Sequence, residues 1–262
     1  MKLIKLLVKL IFKNNFFKHL RIIYNIKPVY IDTSFLGDNI SVSDSFLWRC
    51  DNEYKTIFKF TDLLNFFYKI KNSKVTIIFY SFNGEEIKQV TFNDINSFGH
   101  LIIDQTFIGN KKFNYGTFCI FHSLDSDNEI KEIDIIVRNS CYVGFTKNNF
   151  YSYVHGNIPV VAKNFTSNKI YKNFVMKSIF ANQKYLIQQN FDNYDYSEIF
   201  ISNPTSKIVK FYLNKKQYVL RESNSIIIKI KNQSFVYIIS NCYFLRPIIF
   251  NYKNNYFDVH HG

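Results

Sequence analysis

From about residue 40 onward, short runs of β-branched and aromatic residues alternate with turns rich in Asn, Gly and Ser. That rhythm is the mark of an all-β body. Predicted strands in the first half are 75–82, 86–92, 117–122, 132–137, 141–146 and 151–155. In the second half they are 198–202, 207–213, 217–221, 225–231, 235–240 and 247–252. Asn83-Gly84 separates the first two, and this dipeptide readily takes the positive φ angles of a tight hairpin turn. Leu63, Leu64, Phe67 and Tyr68 recur at helical spacing, which predicts a short helix over 62–70; a second helix is expected over 171–183.

The front of the chain has a different period. Lys2, Lys5, Lys9 and Lys13 recur at intervals of three and four, so a helix would gather them in one stripe, with Lys18 following. Leu3, Leu6, Leu7, Leu10, Ile11 and Phe17 fill the rest of the surface. A cationic face beside a wide apolar arc fits a helix lying on anionic lipid, whereas a helix docked on its own domain usually carries mixed charge outside. The longest uncharged stretch before Asn14 is three residues, too short for a secretion signal or a membrane span. Pro28 and the polar stretch to Asn39 mark the break between helix and body.

The body contains an echo. Residues 137–157 read VRNSCYVGFTKNNFYSYVHGN, and residues 239–262 read ISNCYFLRPIIFNYKNNYFDVHHG. Each sets Asn and Ser before Cys-Tyr, then an apolar run, Lys-Asn-Asn, aromatics and Val-His. Cys141 to His155 is 14 residues and Cys242 to His260 is 18, so the second copy carries about four extra. Lys147-Asn148-Asn149 and Lys253-Asn254-Asn255 fall where hairpin turns belong. The expectation is therefore an all-β fold with an N-terminal α-helix, built of tandem β-sandwich-like units from an internal duplication. The divisions are a basic amphipathic helix at 1–30, a first β-rich unit at 40–160, a partly helical connection at 161–190 and a second unit at 191–262.

Charge refines the picture. The net charge is +13, and +7 of it lies in the first 30 residues, which hold no acid. The body is only mildly basic, so a nucleic-acid groove running through the fold is disfavoured and an anionic membrane surface is the expected partner. Localisation is expected to be cytoplasmic, peripheral on the inner face of the membrane. Lys, Asn, Ile, Phe and Tyr rise together, as AT-rich coding sequence dictates, so the 19% aromatic share is discounted as evidence of function. The four cysteines show no metal-finger spacing, and three sit in strand-like runs, where Cys acts as a small hydrophobe.

Several common catalytic signatures are missing together. The chain has no GxSxG, no phosphate-cradling glycine loop and no HExxH. Paired acids such as Asp125 with Asp127 sit in turn-like stretches. The polar residues that remain as ligand-binding candidates are His155, His260, His261, Asp258, Arg246, Arg49 and Trp48. A lone His at a strand end more often caps a turn, and a lone Trp more often anchors a core. His260 and His261 are adjacent, so on a regular strand they face opposite ways and do not share a site. The reading is a non-catalytic binding or scaffolding protein at the cytoplasmic membrane surface, linked to glycan assembly, with a glycan or protein partner and no cofactor. The alternative is a metal-dependent enzyme using His155, His260 and His261, with Asp258 as a carboxylate ligand.

Overall fold

The computed structural model describes residues 39–262 apart from 94, 96, 97, 125–135, 140, 165–169, 173–182, 188, 204, 206, 207, 241, 243 and 244. Of the first 38 residues it describes only Phe16, Phe17 and Leu20, each in helical backbone, so the expected front helix lies outside the described residues.

The body is all-β. Its strands are β1 (Ile40–Arg49), β2 (Lys55–Phe60), β3 (Ser73–Ser81), β4 (Glu86–Asn93), β5 (Gly99–Ile103), β6 (Tyr115–Leu124), β7 (Ile136–Asn139), β8 (Tyr142–Lys147), β9 (Phe150–His155), β10 (Asn157–Asn164) and β11 (Ile170–Lys172). A second series follows: β12 (Gln183–Ile187), β13 (Tyr196–Ser202), β14 (Val209–Leu213), β15 (Lys216–Leu220), β16 (Ser225–Ile230), β17 (Val236–Ser240), β18 (Ile248–Lys253) and β19 (Tyr256–His261). Two short helices, α1 (Leu63–Tyr68) and α2 (Gln105–Ile108), interrupt the first series. The helix expected over 171–183 meets strand at both ends, at Tyr171 and Gln183, and its middle lies outside the described residues.

The strands form four sheets. Sheet I runs β11-β10-β1-β6-β3-β4 with β7 beside β1, and sheet II runs β5-β2-β8-β9. Sheet III runs β12-β17-β14-β15, and sheet IV runs β16-β13-β18-β19. The first and second series repeat one wiring plan. The order β1-β6-β3-β4 in sheet I matches β12-β17-β14-β15, and β5-β2-β8-β9 matches β16-β13-β18-β19, with every one of these pairings antiparallel. The echo in the sequence marks the last hairpin of each series. Lys147 pairs with Phe150 across Asn148-Asn149, and Lys253 pairs with Tyr256 across Asn254-Asn255. Asn148, Asn149 and Asn254 all have positive φ, which Asn tolerates better than bulkier residues. The cysteines do not follow suit. Cys141 immediately precedes β8, whereas Cys242 lies six residues ahead of β18. Register pairs Tyr142 with His155 and Ile248 with His261, so His261, not His260, is the counterpart of His155.

Strand β1 is buried along its whole length despite Ser41, Ser43, Asp44 and Ser45. Its first half pairs with β10 and β7 and its second half with β6. Where β1 turns away from β6, the serines take over the ladder: Ser43 Oγ accepts from Ile120 N–H and Ser41 Oγ from His122 N–H, each at 2.9 Å. Buried donors left behind by a departing strand need such substitutes.

The central strands of sheet IV, β13 and β18, are buried on both faces. Phe200, Ile248 and Phe250 enter the first core, around Phe46, Phe58, Phe118 and Phe145. Ile199, Ile201 and Ile249 enter the second, around Phe211, Val236 and Ile238. Strands buried on both sides read as unbroken apolar runs, which explains the EIFI and PIIF segments. The Asn83-Gly84 turn touches the second series directly. Phe82 O accepts from Ser225 N–H, and a Cβ on Gly84 would lie 2.5 Å from Glu222 O. The glycine therefore serves both a φ of +85° and a close backbone approach.

Candidate functional site

The predicted residues do not converge. Trp48 is fully buried and its Nε1 donates to Tyr80 O at 2.9 Å, the arrangement of a core anchor. Arg49 is buried too, at the junction of the two series. Its Nε and Nη2 grip the Asp51 carboxylate at 2.8 and 2.6 Å, and Nη1 reaches Glu198 Oε2 of β13 at 2.9 Å. Tyr54 and Phe250 cover the guanidinium, 4.2 and 4.6 Å from its carbon to their ring centroids. Tyr54 Oη donates to Tyr252 Oη, which donates to Glu198 Oε2 at 2.6 Å. Burial alone would lower the Arg49 pKa, but Asp51 first, then Tyr252 and Glu198, hold it above its ordinary value. The cluster is closed to ligand.

The histidines gather near the seam where β9 meets β19. Ser152 Oγ bridges it, accepting from Val259 N–H at 2.9 Å and donating to Asp258 Oδ1 at 3.2 Å. Exposed His155 lies against Tyr142, their ring centroids 3.8 Å apart and their planes tilted by 38°. His261 is partly buried, and neither ring nitrogen closes a hydrogen bond of ordinary geometry. Burial, then the charge of Arg246, pushes its pKa down to about 4, with the backbone of His155 and Pro247 offsetting part of the effect. His260 points the other way, Nδ1 at 3.4 Å from Asn251 Nδ2 and 3.7 Å from Asp258 Oδ2, and burial lowers its pKa as well. Among the described residues no three His, Cys, Asp or Glu side chains are grouped to hold a metal ion.

A buried constellation was missed in the sequence. Asp62 caps α1 by accepting from Leu64 and Asn65 N–H, receives the Ser73 hydroxyl, and lies 3.3 Å from His122 Nδ1. His122 Nε2 meets Asn139 Oδ1 at 2.8 Å. Burial would raise the Asp62 pKa, but hydrogen bonds from His122, Ser73 and the backbone bring it below the usual carboxylate range. A hydrolase triad needs serine bonded to an accessible histidine. Here Ser73 bonds the aspartate and all four residues are sealed from solvent. The network pins α1.

The accessible surface with the most distinctive chemistry is the outer face of sheet II. Tyr142, Tyr151 and Tyr153 alternate with less exposed neighbours and are 55%, 60% and 51% exposed. Gly144 lies opposite Tyr153 in register. A Cβ there would sit 2.4 Å from Tyr153 Cε1 and 2.8 Å from its Cδ1, so the ring packs over Gly144 in space that a side chain would fill. Across β2, Ile57 continues the row from Gly144 to exposed Ile102. An open groove of about 380 Å³ runs between Tyr142, Tyr153, Ile57, Lys59, Leu63 and Phe98. In the second series, Ile248, Phe250, Tyr252 and Val259 hold the matching positions, and those are packed into the first core. One face of the repeated plan is thus closed by the other unit, and its counterpart is open. The signal in the sequence was Tyr-x-Tyr-x-His opposite Tyr-x-Gly, an alternation with aromatics on the outward positions.

No protein-family model matches the chain, and no curated protein matches it. Among solved structures, one similar chain is the M60 catalytic domain with the CBM51-1 and CBM51-2 domains from Clostridium perfringens ZmpB, at 10% identity and a TM-score of 0.20. The match covers 76% of this chain and 31% of that one. Likeness at this level carries neither fold nor function.

Proposed function

We propose that the chain is a non-catalytic binding protein that uses the outer face of sheet II to hold a glycan. The observation that carries this reading is the exposed Tyr153 ring packed over Gly144, beside the close Tyr142–His155 ring pair. Flat, exposed aromatic rings offer their π-faces to the C–H faces of sugar rings, and sheet curvature spaces them along an extended ligand. Single-stranded bases and other flat ligands stack in the same manner, and the few cations on this face favour the sugar. Each series is read as a β-sandwich-like unit, one copy of an internal duplication, supported by the shared strand order. On this reading the second unit begins at β12, at Gln183, and the two units form one binding face and one docking face. The basic front segment places the protein on the cytoplasmic membrane surface. The alternative of a metal enzyme using His155, His260 and His261 gains no support, since among the described residues no three His, Cys, Asp or Glu side chains are grouped to hold a metal ion.

The test is a screen of soluble oligosaccharides by calorimetry against the wild type and Tyr153→Ala. The variant should fold normally and lose at least about tenfold in affinity, equivalent to about 1.4 kcal/mol. If it binds every wild-type ligand unchanged, this face is not the site.

A further inference from the structure

The charge around the tyrosines is one-sided. None of the four strands of sheet II contains an Asp or a Glu. Lys55 and Lys59 are exposed on β2 on either side of Ile57, and Lys59 pairs in register with exposed His100. His155 stands at the other end of the face against Tyr142. The corresponding positions of sheet IV are different in kind. Glu198 lies where sheet II has Ile57, Phe200 where it has Lys59, and Tyr196 where it has Lys55, as the pairings of β2 with β8 and of β13 with β18 require. The face that docks on protein is apolar with an acid bound to Arg49. The face that meets water is aromatic with cations.

We infer that the ligand of sheet II is an acidic glycan, one carrying carboxylate, sulfate or phosphate groups. This inference rests on the glycan reading given above and names its class. Sugar rings stack on Tyr153 and Tyr142, while anionic substituents reach Lys55 and Lys59. The two lysines are four residues apart on one strand, about 13 Å at the usual rise, which suits charges repeated along an extended chain. Single-stranded nucleic acid would also bring anions and flat rings. A backbone with a phosphate on every nucleotide is normally tracked by a row of cations, and two exposed lysines without an arginine make a poor track.

The experiment uses the full chain and three probes: oligogalacturonate, a neutral oligosaccharide of equal length, and a thymidine decamer. Binding is measured for the wild type and for Lys55→Gln/Lys59→Gln, with salt raised from about 50 to about 500 mM, where screening is nearly complete at contact distances beyond a few ångströms. The inference expects oligogalacturonate to bind most tightly, weakening at least about tenfold both in the double variant and in high salt. If the neutral sugar binds equally well and the variant is indifferent, the acidic class is wrong while the glycan reading stands. If the decamer binds most tightly, or neither sugar binds, both fail. Gln removes the charge but keeps a polar, unbranched side chain one atom shorter at an exposed position, so loss of fold does not confound the variant.

Discussion

Arg49 shows how much one side chain can hold together. It lies in the first series, yet two of its partners, Glu198 and Tyr252, come from the second. Removing the guanidinium would strand Glu198 and Asp51 at a nearly dry junction. Arg49→Met should therefore lower unfolding free energy by about 3–5 kcal/mol, and adding Glu198→Gln and Asp51→Asn should recover part of it. Urea unfolding of the three proteins tests this. His261 makes a different prediction. Its folded pKa, about 4, lies below the ordinary imidazole value of 6.5. Between those values the unfolded chain takes up a proton that the folded one refuses, so stability is full above pH 6.5 and falls as pH drops toward 4. Partial exposure limits the loss to about 1–2 kcal/mol. Thermal unfolding of His261→Gln should show a shallower decline over that window; an unchanged slope would mean that another group titrates there.

At the scale of elements, the same β-hairpin serves two purposes. β18-β19 turns aliphatic and aromatic side chains into the neighbouring core, and β8-β9 turns tyrosines toward water. Gly144 is the position that distinguishes them most simply, since its counterpart in register is Phe250. Gly144→Ala should lift the Tyr153 ring off the strand. Because that ring is half exposed it can swing away, so stability should change by less than about 1 kcal/mol while oligosaccharide affinity falls several-fold. A variant that binds normally would show that ring orientation is irrelevant. The hairpin turns were legible in advance, because Asn-Gly and Asn-Asn mark positive φ locally. β1 was not, because its serines and Asp44 break the apolar pattern that marks a strand. They are buried only because β1 changes partners midway, leaving β6 donors that hydroxyl groups must satisfy.

For the molecule as a whole, the repeated plan leaves one sheet face buried between units and one open. The basic front segment is proposed to add a second kind of contact, with anionic lipid. Each Lys or Arg near an anionic bilayer contributes about 1 kcal/mol, and salt screens it. Deleting residues 1–26 should abolish salt-sensitive sedimentation with phosphatidylserine vesicles and leave oligosaccharide binding intact. Unfolding of the truncated chain would instead make the segment part of the fold.

The sequence by itself determined the all-β class, most strand positions in both halves, the two closing hairpins and the short helix near residue 65. These follow from side-chain period and turn chemistry, which act over a few residues. It also announced the repeat, although the shared Cys-Tyr misaligned it by several positions, since composition repeats more loosely than register. Only the tertiary structure decided which surface is accessible. Arg49 and Trp48 look like binding groups in a string of letters and are sealed by residues about 150 and 30 positions away. Tyr142, Tyr151 and Tyr153 alternate in the sequence as either face of a strand could, and they are exposed because, among the described residues, no unit docks on sheet II as the first unit docks on sheet IV. Burial is a property of distant neighbours, and no local pattern encodes which of two equivalent faces will find one.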